Sequence, residues 1–161
     1  MLYGNSKGFN DSLIEKIAKT LVAMANTSKE QGYVIIGVSD TKEAANEFDK
    51  NYGTVSNMRG DRYINGVEAE ASKNSLTLDR YILQLKQRLE KSGMSASLKD
   101  YVLRNFRVID YKGKSVIMLT SQMQDAPADY NKEYYVRYGS SNKKLEIGSD
   151  EFNMLFRRAY M

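Results

Sequence analysis

Apolar positions along the chain change period several times, and each change marks a predicted element. Leu13, Ile14, Ile17, Ala18, Leu21, Val22 and Ala25 recur at spacings of three and four, the stripe of an amphipathic helix. Ser12 and Glu15 fit the capping-box spacing at its start. Asn26, Thr27 and Ser28 end it, because their side chains compete for backbone hydrogen bonds. Residues 33–38 then run Tyr-Val-Ile-Ile-Gly-Val into Ser39 and Asp40. The run is too short for a helix that spans a core and rich in β-branched residues. It reads as a fully buried central strand.

From residue 41 to 65 the chain turns polar, with Asn46, Asn51, Gly53, Asn57, Gly60 and Asp61 breaking any period. This stretch reads as a long loop with at most a short strand at 52–55, and such loops are often functional or mobile. Residues 77–92 restore the helical period through Leu78, Ile82, Leu85 and Leu89, with Gly93 as a stop signal. Leu98, Val102 and Leu103 suit a short third helix. Two strand-like runs, 105–111 and 114–120, flank Lys112-Gly113 and predict a β-hairpin. Residues 134–138 form another strand, ending in Gly139-Ser140-Ser141-Asn142. Residues 149–160 form a last helix, capped by Ser149 or Asp150, with Phe152, Leu155 and Phe156 inward. The fold class is α+β: a mixed sheet of about four or five strands with helices packed on it. Residues 1–11 read as a flexible lead-in and 12–161 as a single domain.

Composition narrows the chemistry. With 161 residues, 42% hydrophobic and 27% charged, the chain suits one globular domain. It contains no His and no Cys, which excludes a Ser-His triad, a Cys nucleophile and an ordinary zinc site. Catalysis would have to use carboxylates, Lys, Tyr, Ser or a hard cation. No apolar run approaches the roughly 18 residues of a membrane span. The absence of a secretory pattern and of cysteine points to the cytoplasm. A net charge of +4 and a pI near 9.1 favour a polyanionic partner.

Three blocks of residues then carry a family resemblance. They are Ala25-Asn26-Thr27 with Gly32-Tyr33-Val34-Ile35-Ile36-Gly37-Val38-Ser39-Asp40, the hairpin Lys112-Gly113-Lys114-Ser115-Val116-Ile117, and Tyr134-Tyr135-Val136-Arg137-Tyr138-Gly139-Ser140-Ser141. In this order they resemble the AlbA_2, or Schlafen-type, domain, known in bacteria as a nucleic-acid-binding module often placed at the front of a longer regulator. The chain departs from the pattern twice. No Glu-x-Lys-like strand precedes the first helix, and the turn at 28–32 has one glycine instead of two or three. The resemblance implies a DNA- or RNA-binding module in a transcriptional-regulator or RNA-linked role, working without a cofactor.

The residues offer three site readings. Arg107, Lys112 and Lys114 around the hairpin, with Arg137, Ser140, Ser141, Lys143, Lys144, Arg157 and Arg158 further on, could neutralise phosphates, and binding would then weaken with salt. Lys99 and Arg104 add to the basic set. Tyr111, Tyr134 and Tyr138 could stack on unpaired bases. An ordinary solvated surface and an ordinary Gly-Ser-Asn turn are the competing explanations. Glu68 and Glu70 would share a face in an extended segment and, with Asp40 and Asp61 nearby, could hold magnesium for a Schlafen-like RNase. Surface acids opening the segment before the second helix are the simpler explanation. The third reading is a protein-interaction domain or homodimer formed through a free sheet edge, such as that of 134–138.

Overall fold

The structure, a computed structural model, describes residues 9–161. Its elements run α1 (Asp11–Thr27), β1 (Gly32–Ile36), β2 (Val38–Ser39), α2 (Lys42–Tyr52), β3 (Asn57–Arg59), β4 (Arg62–Ile64) and α3 (Glu68–Lys73). There follow α4 (Leu78–Lys91), α5 (Ala96–Arg104), β5 (Arg107–Tyr111), β6 (Lys114–Ser121), β7 (Tyr134–Tyr138), β8 (Ser141–Leu145) and α6 (Asp150–Ala159). The fold is α+β, as the period changes predict. Instead of one sheet of four or five strands, the described strands form three small sheets, ordered β1-β6-β5, β2-β4-β3 and β7-β8.

The described residues fall into two compact units. One comprises residues 9–10, Ile35–Lys86 and Arg107–Met118; the other comprises Asp11–Val34, Gln87–Phe106 and Leu119–Met161. In the first, Ala45, Phe48, Ile64, Val67, Ala71, Tyr81, Leu85, Val116 and Ile117 are buried. In the second, the α1 stripe from Ile14 to Ala25 is buried, as are Leu98, Val102, Leu119, Tyr135, Leu145 and Leu155. Residues 1–8 of the predicted lead-in lie outside the described residues. At its far end, Phe9 packs on Tyr81 with ring centroids 6.2 Å apart, and Asp11 already opens α1. Ser12 therefore sits inside the first turn, past the capping position predicted for it.

The strand at 33–38 is neither central nor fully buried. It splits at Gly37, whose φ is +99°, into β1 and β2. β1 stands at the edge of its sheet and alternates, with Tyr33 and Ile35 about half exposed. The central strand is β6, buried at Ser115–Ile117 and again at Leu119–Ser121. A β-branched run has the same composition at an edge as at a centre; only pairing distinguishes them.

The predicted long loop is a helix and a hairpin. Thr41 caps α2 by accepting a hydrogen bond from the Ala44 N–H at 3.2 Å, and Gly53 closes it in the left-handed conformation at φ 62°. β3 and β4 pair antiparallel with Met58 opposite Tyr63, and Tyr52 ends α2, so no strand exists at 52–55. α1 ends at Thr27, within the predicted stop, but Asn26 does more than end it. Asn26 is buried within the helix; its Nδ2 donates to the carbonyls of Ala128 (2.8 Å) and Tyr135 (2.9 Å), and its Oδ1 accepts from the Ala128 N–H (2.8 Å). It fastens α1 to β7 and the loop before it.

Candidate nucleic-acid interface

In the first unit, the β5–β6 hairpin turns through Lys112 and Gly113, with φ 50° and 80°. Two positive φ values suit the twist of flanking strands, and the geometry leaves Lys112 exposed at the tip. Asp110 steadies the turn by accepting from the Gly113 N–H at 3.2 Å. Tyr111, half-buried at the end of β5, lies under two cations. The Arg59 guanidinium is 5.0 Å and the Lys112 ammonium 5.5 Å from its ring centre, within cation–π range. Arg107 is exposed two strand periods away, on the same face of β5 as Tyr111.

Arg59 was not among the residues singled out in the sequence. It stands opposite Arg62 across β3 and β4. Arg62 is committed to Asp40 (3.2 Å) and Asp61 (3.0 Å), so Arg59 retains its charge for Tyr111 and solvent. The sequence signal was Arg59-Gly60-Asp61-Arg62, a charged turn between apolar flanks. The same contacts assign Asp40 and Asp61 to Arg62.

Lys114, also on the β5–β6 hairpin, is turned to protein oxygens. Its ammonium donates to the Val55 carbonyl, to Thr54 Oγ1 (3.4 Å) and to the Asn65 carbonyl (3.5 Å). It ties the start of β6 to the segments after α2 and β4.

Glu68 and Glu70 do not converge. They belong to helix α3, not to an extended segment, and positions two apart on a helix point to different sides. The Glu68 carboxylate accepts from the backbone N–H groups of Ser115 (2.6 Å) and Val67 (3.1 Å). Glu70 is buried and accepts from the Tyr81 hydroxyl at 3.3 Å. Burial, with the Glu70 charge as the lesser cause, pushes the Tyr52 phenol above its usual range. No cluster of three or more acidic residues able to hold a metal ion occurs among the described residues.

In the second unit, β7 and β8 form a tight ribbon with Tyr138 opposite Ser141. Ser141 and Asn142 are thus strand residues, and the turn is only Gly139 and Ser140. Ser140 is exposed at its tip, while the Ser141 hydroxyl donates to the Tyr138 carbonyl at 2.9 Å. Register sorts the side chains. Tyr134, Val136, Tyr138, Lys143 and Leu145 share one face; Tyr135, Arg137, Asn142 and Lys144 share the other. On the first face, Tyr134 meets Phe152 and Phe156 of α6 edge-on at 5.3 and 5.4 Å. It is a packing residue, and burial pushes its phenol above the usual range. Tyr138 stays exposed on that face, with the Lys143 ammonium 5.8 Å from its ring.

Most cations of this unit already have partners. Arg137 donates to Asn142 Oδ1 at 2.6 Å, and Asn142 donates to Thr20 of α1 at 3.0 Å. Lys143 pairs with Glu151 (2.8 Å) and Lys144 with Glu133 (2.7 Å). Those hydrogen bonds hold both ammonium groups above their ordinary range. Arg158 donates to the Asn26 carbonyl, and Arg104 pairs with Asp100 at 3.0 Å. Arg157 is exposed without a carboxylate partner among the described residues. Arg137 and Lys143 lie on opposite faces of the ribbon, so they cannot grip one phosphate together.

A family model described as Schlafen, AlbA_2 matches residues 5–146. The chain belongs to that family. The match takes in all three blocks named above and leaves α6 outside it. The Schlafen AlbA_2 blocks are accounted for in large part by structure: Asn26 clamps, Gly37 turns the chain and Arg137 braces the ribbon. No curated protein and no solved structure matches the chain at a significant level. No helix among the described residues is long and apolar enough to cross a membrane.

Proposed function

We propose that this Schlafen AlbA_2 domain binds single-stranded nucleic acid, DNA or RNA, through the surface around Tyr111, as a cytoplasmic module in a transcriptional or RNA-linked role. The observation that carries the reading is the half-buried Tyr111 ring under both Arg59 and Lys112. An aromatic face beside unneutralised cations serves both parts of a nucleotide: the ring stacks on a base, and the cations meet the phosphates on either side. Family membership and the charge of +4 favour the same class of partner. A base must be unpaired to stack, which selects single strands over duplex.

Fluorescence anisotropy with a labelled twelve-nucleotide single strand tests the reading. Binding is expected at ~10 μM in low salt, weakening steeply as salt rises. Tyr111→Ala is expected to cost roughly 1–3 kcal/mol of affinity. Binding that ignores salt, or that survives the substitution unchanged, contradicts it.

A further inference from the structure

The first unit also contains a cavity of about 220 Å³ between the β2 turn, α2 and the start of α3. Its size lies below the ~300 Å³ at which drug-sized pockets begin and holds about seven waters. That suits one flat ring system. Val38 and Phe48 supply apolar wall, while Ser39, Asn65, Glu47 and Glu70 supply the polar groups. No Lys or Arg is among these lining residues, so the lining offers an anionic ligand no cation to pair with.

The polar lining is fixed in orientation. Asn65 Nδ2 donates to the Ser56 hydroxyl at 2.7 Å, and that hydroxyl donates to Asp49 at 2.6 Å. Asn65 Oδ1 accepts from the Ser39 hydroxyl at 2.7 Å. One N–H of the amide and its Oδ1 are thereby oriented, and Ser39, having spent its proton on Oδ1, is left with only lone pairs to offer. With Glu70 buried in the wall and Glu47 exposed on α2, the cavity presents acceptors beside an apolar wall. The Glu47 carboxylate and the Ser39 lone pairs thus favour a ligand that brings hydrogen-bond donors on a flat frame.

Resting on the nucleic-acid reading above, we infer that this cavity receives one unpaired guanine base of the bound strand. Guanine alone among the bases carries two adjacent donor groups on one edge, N1–H and the 2-amino group, matched to the two oxygens of a carboxylate. Adenine and cytosine offer a single amino group beside a ring acceptor. Uracil and thymine flank one N–H with two carbonyls, which a carboxylate repels. Bases taken from a single strand into a snug pocket are read in this way, by their Watson–Crick edge against an apolar wall.

The test uses the full chain and an oligouridine strand with one central guanine, compared with the same strand carrying inosine, which lacks only the 2-amino group. Guanine is expected to bind about tenfold tighter than inosine. Glu47→Gln, an exposed change on α2, should bring the two strands within about twofold while leaving the melting temperature unchanged. Equal binding of guanine and inosine strands by the native chain overturns the pocket and leaves the nucleic-acid reading standing, as does a preference that survives Glu47→Gln. Failure of every oligonucleotide to bind overturns the nucleic-acid reading itself. Guanosine titrated alone by NMR then decides the pocket separately: saturable binding lost in Glu47→Gln sustains it, and no binding ends it.

Discussion

Asn26 shows how one side chain can be misread locally and still mark an important place. In an Asn-Thr-Ser sequence the expectation is a helix stop, because short polar side chains compete for nearby backbone groups. The stop is real, but Asn26 acts over long range: two donor contacts and one acceptor contact join it to segments more than a hundred residues away. Sequence distance hides such partners. Asn26→Ala should destabilise the protein by about 3 kcal/mol, since the two carbonyls and one N–H it serves are buried. Asn26→Asp should cost more, because it turns a carboxylate oxygen toward two carbonyls. Urea unfolding of both variants checks the order; Asp tolerated better than Ala contradicts it. Lys114 teaches the converse at the candidate site. It shares a basic hairpin with Lys112, yet only the structure separates an exposed tip from an ammonium held by three oxygens.

At the scale of elements, strong periods were legible and weak ones were not. α1, α4, α5, α6 and the β5–β6 hairpin stand where the apolar spacing puts them. α2 escaped because it buries only Ala45 and Phe48, too little to make a stripe, although Thr41 and Gly53 flag its ends. β8 escaped because Ser-Asn-Lys-Lys-Leu lacks β-branched residues; pairing with β7 makes it a strand. These omissions bear on the site, since Arg59 and the α2 side of the cavity, Ala44, Glu47 and Phe48, come from the missed segment. Lys114 joins that segment to β6. Lys114→Met should lower stability by about 1–3 kcal/mol with little change in the salt dependence of binding. Lys112→Ala should leave stability unchanged and lower the salt slope by about 0.7. Reversed behaviour of the two would contradict the assignment.

For the molecule as a whole, ionisation sets where stability is lost. Glu133 is held below its ordinary 4.5 by its hydrogen bonds from Lys144 and Tyr135. Its contribution is present above that value and lost as pH falls through the lowered one. Tyr52, Tyr134 and Tyr135 are raised above 10.0, chiefly by burial, and Lys19 above 10.5 by its hydrogen bond to Glu15. Their contributions are present below the ordinary values and lost as pH rises through the raised ones. Urea midpoints should therefore fall from pH 9 to 11, and Glu133→Gln should flatten the decline below pH 5. A midpoint constant through the alkaline range contradicts the burial described for the tyrosines.

Charge at this scale also separates the two units' candidate cations. Arg59, Arg107 and Lys112 have no carboxylate partner among the described residues, whereas Lys143 and Lys144 are neutralised by Glu151 and Glu133. The most direct measurement is the salt dependence of single-strand binding for Arg59→Ala/Lys112→Ala beside Lys143→Ala/Lys144→Ala. The Tyr111 surface predicts that the first pair lowers the slope by about 1.4 and weakens binding, while the second leaves both unchanged. Equal losses from the two pairs, or loss from the second alone, would contradict it.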